Sequence, residues 1–187
     1  MTTTAEAQPT TTELSTVLRQ MFAQMHVWLE GTMQDVTAEG CHWQPRGRVV
    51  PAGAHYAHHV MGSEDMIFNL LIRNATPLAL STWQGKTGLS EPHPRPMGEW
   101  DAWARRVQID LPALRAYAQA VYANTDAYLA SLTIEEWHRQ VDMAAIGRPG
   151  QQQTVGYWLT NILLDGAGHS GEISAVKGLQ DLQGYPF

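Results

Sequence analysis

From Glu13 onward, apolar residues return at three- and four-residue steps: Leu14, Val17, Leu18, Met21, Met25, Trp28, Leu29 and Val36. That interval follows the 3.6-residue turn of an α-helix, so these side chains form one stripe that must be buried against another element. Three further segments repeat the period, which commits the chain to an all-α fold of the four-helix-bundle type. The spacing predicts helix one over 13–37, helix two over 52–74, helix three over 99–132 and helix four over 152–180. Pro112 falls inside the inner stripe of helix three. Because proline lacks the N–H donor and clashes with the preceding turn, a kink or break is expected near Asp110.

The connections carry their own signals. Cys41–Pro51 holds two prolines and a glycine and reads as an ordered link. Pro77–Pro96 holds four prolines and two glycines without a period, which predicts one long crossover loop over the bundle, of the kind that roofs a site. Thr133-Ile-Glu-Glu136 has the form of a capping box opening a short turn, and Gly147-Arg-Pro-Gly150 marks a loop with short extended pieces. Met1–Thr12 is Thr-rich and aperiodic, so residues 1–12 are expected as a flexible tail and 13–187 as a single domain.

Composition narrows the partners. The net charge is −6 with only 12 Lys and Arg, which argues against nucleic acid, since phosphate binding needs a concentrated basic surface. Apolar runs stop well short of the roughly 20 residues needed to cross a bilayer, so no membrane association is expected. The single cysteine, Cys41, cannot pair within the chain, and no basic-plus-apolar leader opens the sequence; a reducing cytoplasm is the expected compartment.

Two places break the local rules around them. The middle of helix four holds Asp165, Gly166, Gly168, His169 and Gly171. Each interior glycine costs about 0.5–1 kcal/mol relative to alanine, so something should offset the three. Close approach of a neighbouring element and space around a substrate are equally good readings. At about 100° per residue, His169 falls on the apolar arc and Asp165 at its edge one turn earlier. A carboxylate desolvated there needs a partner, and a divalent cation satisfies it and the imidazole together. The second place is His55-Tyr-Ala-His-His-Val60, with three of the eight histidines within five residues. On the same wheel His59 points inward, His55 lies at the margin, and His58 points away. Glu64 and Asp65 follow one turn later, as partners of the site or as solvated groups.

These tracts carry a resemblance. Tyr56-Ala-His-His-Val60 with Ser63-Glu-Asp65, and His169-Ser-Gly-Glu-Ile173 followed by Val176-Lys-Gly-Leu-Gln180 and the Gly-Tyr-Pro-Phe ending, look like the DinB/YfiT-like metalloprotein family, which is related to the mycothiol-dependent maleylpyruvate isomerases. In that family one histidine of helix two and an H-x-x-x-H pair on the last long helix hold a metal. The resemblance therefore implies His59, Asp165 and His169 as ligands of one divalent ion per chain. The ion would be zinc or nickel, with iron as an alternative because two histidines and a carboxylate also form the facial iron set. Asp165 stands where most members have histidine; the maleylpyruvate isomerases also use a carboxylate there. Glu172, one turn beyond His169, is expected to orient it.

The implied function is a thiol S-transferase or hydrolase acting on a small electrophilic substrate, with a low-molecular-weight thiol such as mycothiol or bacillithiol. A non-catalytic metal- or ligand-binding stress-response protein is the alternative. The resemblance also implies a homodimer. Trp83, Trp100 and Trp103, near the long loop, are candidates to line a pocket, whereas His26, His42, His93 and His138 are assigned no role.

Overall fold

The structure, a computed structural model, describes residues 10–94 and 99–187. Helix α1 spans Thr11–Met33, two residues ahead of the expected start, because Thr10 and Glu13 form a reciprocal cap. The Thr10 N–H donates to Glu13 Oε2 at 2.7 Å and the Glu13 N–H to Thr10 Oγ1 at 3.2 Å. Thr10, Thr11 and Thr12 of the expected tail thus belong to this helix and its cap, while its first nine residues lie outside the described ones. The Cys41 link is ordered, with a short helix, α2 (Ala38–His42), capped by Thr37. His42 fixes this link, donating from Nδ1 to Ala38 O at 2.7 Å and accepting the Ile109 N–H at Nε2 at 2.9 Å.

Helix two begins as α3 (Ala52–Ala57) and widens at His58 into a π-helix that runs to Ile72. In it the N–H of each residue reaches the carbonyl five back, as at its end, where Arg73 N meets Phe68 O at 3.1 Å. Asn74, in the left-handed region at φ 47°, stops it. The expected break in helix three is present. Helix α4 (Trp100–Arg106) ends, and α5 (Leu111–Ala130) restarts with Asp110 as cap and Pro112 in the first turn, where a missing N–H costs nothing. A short helix, α6 (Ile134–His138), follows with Thr133 as cap. An antiparallel pair, β1 (Gln140–Asp142) and β2 (Gln152–Thr154), then leads into α7 (Val155–Gly178).

Helix α7 packs against α1 and against α3 with its π continuation, and α5 packs against α1 and the π-helix, which closes a four-helix ring. The long loop is seated on this ring by two devices. Asp65, fully buried, accepts the Leu78 and Ala79 N–H groups at 2.9 and 2.8 Å and the Tyr117 hydroxyl at 2.6 Å. Gly88, at φ +78°, lets the loop touch the start of α5: a Cβ there would lie 2.5 Å from Leu114 N. No described helix is long and apolar enough to cross a membrane.

The core falls into two apolar clusters. One gathers Leu29, Met33, Tyr56, Val60, Trp103, Leu114, Tyr117, Ile173 and Val176; the other gathers Leu18, Phe22, Met25, Phe68, Leu71, Leu159 and Ile162. Polar residues meet where three of these helices face one another: His26 on α1, His59 and Glu64 on the π-helix, and Asp165 and His169 on α7. The bundle is therefore crossed by a hydrogen-bonding layer in which buried polar groups satisfy one another.

Candidate metal centre

The approach of α7 to the π-helix depends on Gly166. A Cβ at this position would lie 2.3 Å from Met25 Sδ and 2.8 Å from His59 Cε1, closer than any side chain tolerates. Close packing therefore explains Gly166. Gly168 meets nothing within 4 Å of a would-be Cβ, so packing within the chain does not explain it.

Across this contact, Asp165 and His169 come together with a histidine of helix two. The one whose nitrogen shares their reach is His58: the ligand atoms of His58, Asp165 and His169 all lie within 4.8 Å of one another. His58 Nε2 is 3.7 Å and His169 Nε2 3.4 Å from Asp165 Oδ1. His59 is in the same layer but turned differently. Its Nδ1 is 2.8 Å from Asp165 Oδ2 and its Nε2 3.2 Å from Glu64 Oε2. Both neighbours are carboxylates within hydrogen-bond distance, so both His59 ring nitrogens donate, whereas the Nε2 atoms of His58 and His169 stand farther from Asp165 Oδ1 and are the nitrogens an ion between them would meet. The 100° wheel sends His58 outward because it assumes an α-helix. The wider π-helix turns less per residue and brings His58 and His59 both inward, with His59 and Glu64 five apart on one face.

Each of the three converging groups is held from behind. His169 Nδ1 donates to Glu172 Oε2 at 2.6 Å, which leaves Nε2 facing Asp165. Asp165 is held by His59, and His58 Nδ1 meets His93 Nε2 at 2.7 Å. Behind His59, Glu64 Oε2 also receives His26 Nε2 at 2.9 Å, and His26 stacks on Tyr122 with ring centroids 3.7 Å apart. Such outer partners fix tautomer and ring orientation around a metal.

The electrostatics follow from burial and pairing. Full burial opposes charge on His59, yet its bonds to Asp165 and Glu64 win and raise its pKa to about 9. Burial likewise works against the Glu64 carboxylate, but His26 and then His59 hold it down at about 2. Asp165 is pushed well below the usual carboxylate range: burial is overcome by the neighbouring imidazoles of His169, His58 and His59. Burial lowers His55 to about 4, so it is a neutral imidazole near pH 7.

Trp100 forms a wall at the site, its ring 4.7 Å from His58 and 6.2 Å from His55, and Trp103 lies tilted beside it at 5.5 Å. Trp83 instead packs on Tyr117, 5.8 Å away. Sequence reasoning turned His58 outward, gave His26 and His93 no role, and left Glu64 open between a partner of the site and a solvated group; the structure buries Glu64 fully against His59 and His26. For His26 a signal existed, since it lies four residues after Phe22 on the edge of the α1 stripe. For His93, in the long loop, no spacing rule could have found it.

Two imidazole nitrogens and a carboxylate oxygen in mutual reach suit a divalent cation of borderline hardness, and the low pKa of Asp165 keeps that oxygen anionic. Comparison with known proteins bears on the fold and the family. A conserved protein from Enterococcus faecalis, known from a crystal structure, superposes with a TM-score of 0.73 at 20% identity, over 89% of this chain and 96% of that one. At that identity the likeness speaks for the fold. No curated protein matches the chain. The DinB superfamily profile matches residues 10–173, nearly the whole bundle, and the chain belongs to that superfamily.

Proposed function

We propose that this protein is a divalent-metal-dependent enzyme of the thiol S-transferase or hydrolase class, acting on a small electrophile. In this reading His58, Asp165 and His169 hold zinc or nickel, and His59 sets Asp165 in place. The observation that carries it is the convergence of two imidazoles and a carboxylate from two helices, each braced by a partner on its far side. A divalent ion there supplies a Lewis acid that lowers the pKa of a thiol or water and holds it for attack. The chain's own residues do the rest. Glu172 fixes the His169 tautomer, His59 orients Asp165, and Trp100 walls the site beside His55 and His58.

Cys41 is buried, and burial pushes its thiol up to about 11, so it is no nucleophile near pH 7. Thiol chemistry here therefore needs a small-molecule thiol, for which mycothiol or bacillithiol would serve. A cytoplasmic setting suits a free cysteine and such a thiol. With 12 Lys and Arg against 18 Asp and Glu, a small molecule suits this chain better than nucleic acid.

Purified protein reloaded with zinc or nickel should consume thiol in the presence of small electrophiles, and His169→Ala should lose both stoichiometric metal and turnover. Full metal content in His169→Ala would refute the assignment. The two-histidine, one-carboxylate set also suits a non-haem iron enzyme, which elemental analysis separates. Ligand-dependent thermal stabilisation without turnover would instead mark a binding protein.

A second copy of the chain is the partner we propose. Its support is the face shared by α1 and α7, where Val17, Met21, Trp28 and Leu164 are exposed beside Gln20 and Gln24 with no charged side chain among them. An uncharged face is one on which two chains of net charge −6 can meet without bringing like charges into contact. Leu164→Lys should convert a dimer to a monomer in light scattering after gel filtration; a monomeric parent at micromolar concentration removes this reading.

A further inference from the structure

The layer around His169 holds more donors than one ion can use. His55, His58, His93, Asp165, His169 and Glu172 form one continuous group linked by contacts of 2.6–3.7 Å. Within it two triads satisfy the reach of a cation, and they share His169 through its two different nitrogens. The first is the centre described above. The second joins His55 Nδ1, His169 Nδ1 and Glu172 Oε2, with edges of 3.1, 2.9 and 2.6 Å.

Hydrogen bonding alone leaves this second triangle unbalanced. Two N–H groups can both donate to Glu172, but their nitrogens then abut at 3.1 Å without a bond between them. If either ring is deprotonated at Nδ1, its lone pair faces the carboxylate. A cation satisfies all three lone pairs together. The dimensions also differ between the triads. Donors about 2.1 Å from an ion are about 3.4 Å apart in a tetrahedron and about 3.0 Å apart at right angles. The first triad, at 3.4 and 3.7 Å, has the wider spacing; the second has the spacing of one octahedral face.

We propose that His55, His169 and Glu172 form a second divalent-cation site, so that the centre is dinuclear and His169 bridges it, Nε2 to one ion and Nδ1 to the other. Loading the second ion displaces the remaining ring proton of His169 to solvent, and the ring bridges as imidazolate. His55 is buried and fixes one side, whereas Glu172 is half-exposed, so the second ion sits at the mouth with its free positions toward solvent. The ions suited to it are first-row transition metals that accept six ligands, such as manganese, cobalt, nickel or zinc.

This inference rests on the metal centre proposed above, and one measurement separates their fates. Metal-free full-length protein is saturated with cobalt or zinc alone, and bound metal per chain is counted by elemental analysis and calorimetry. Two equivalents are expected, falling to one in His55→Ala and in Glu172→Ala, each checked for native circular dichroism. In the dicobalt protein the magnetic coupling carried through the imidazolate should vanish in Glu172→Ala. One equivalent in the parent overturns the dinuclear proposal and leaves the first centre standing, whereas none removes both. A second equivalent that survives His55→Ala/Glu172→Ala is bound elsewhere and also overturns it.

Discussion

Replacing Gly166 by alanine tests whether the helix contact holds the site. In a helix interior alanine is normally the better residue, by about 0.5–1 kcal/mol. Here the new methyl would sit 2.3 Å from Met25 Sδ and 2.8 and 3.0 Å from His59 Cε1 and Nε2. Met25 ends in a flexible thioether and can swing aside. His59 cannot, because Asp165 and Glu64 hold it at 2.8 and 3.2 Å, and restoring a contact of about 3.5 Å requires a shift of roughly half an ångström that stretches one of those bonds. Overpacking of this kind costs about 1–3 kcal/mol. Net of the propensity gain, Gly166→Ala should lose about 1 kcal/mol, a fall in Tm of about 2–4 °C for a chain of this length. Metal affinity should drop about 10- to 100-fold as Asp165 loses its brace. Gly168→Ala, two residues on and open within 4 Å, should instead gain about 0.5–1 kcal/mol. Calorimetric melting of the metal-free proteins and metal titration give both numbers. A Gly166→Ala protein that melts at or above the parent, with unchanged metal affinity, refutes the reasoning.

Two further outcomes follow from the buried layer. Asp65→Asn should destabilise by about 3 kcal/mol in urea titration: Leu78 N, Ala79 N, Asn69 Nδ2 and Tyr117 Oη are all donors, and an amide nitrogen meets them with another donor. An unchanged midpoint would show that Asp65 does not seat the loop. For the metal-free protein, His59 is raised from 6.5 to about 9, so its contribution is complete below pH 6.5 and fades as pH rises through about 9. Glu64, lowered from 4.5 to about 2, contributes above pH 4.5 and fades as pH falls toward 2. His55, lowered to about 4, acts oppositely to His59: between pH 6.5 and 4 the unfolded chain takes a proton that folded His55 refuses, so stability falls on acidification. Stability measured against pH should therefore peak near 6.5 and decline on both sides; a flat profile from 4 to 9 contradicts these pairings.

Much of the bundle could be read from the residues in order. Apolar period located the four long helices, Pro112 marked the break before α5, and Thr133 marked the start of α6, because these signals act within a few residues of themselves. The Thr10 cap was missed only by assigning its threonines to a tail. On α7, Asp165 and His169 could be chosen as an inward pair, since an α-helix keeps i and i+4 on one face. The same rule applied to His58 pointed it the wrong way, because nothing local announces that the helix widens at that residue.

The sequence by itself thus determined the helices, most of their inner faces and the two stretches where carboxylate and imidazole interrupt them, all of which depend on neighbours along the chain. Only the tertiary structure decided how the histidines divide their work. His58 meets Asp165 and His169, His59 is locked between two carboxylates, and His93 arrives from a distant loop. Those assignments depend on where a second helix and a loop place a charge or a lone pair, and that position is set by packing across the bundle.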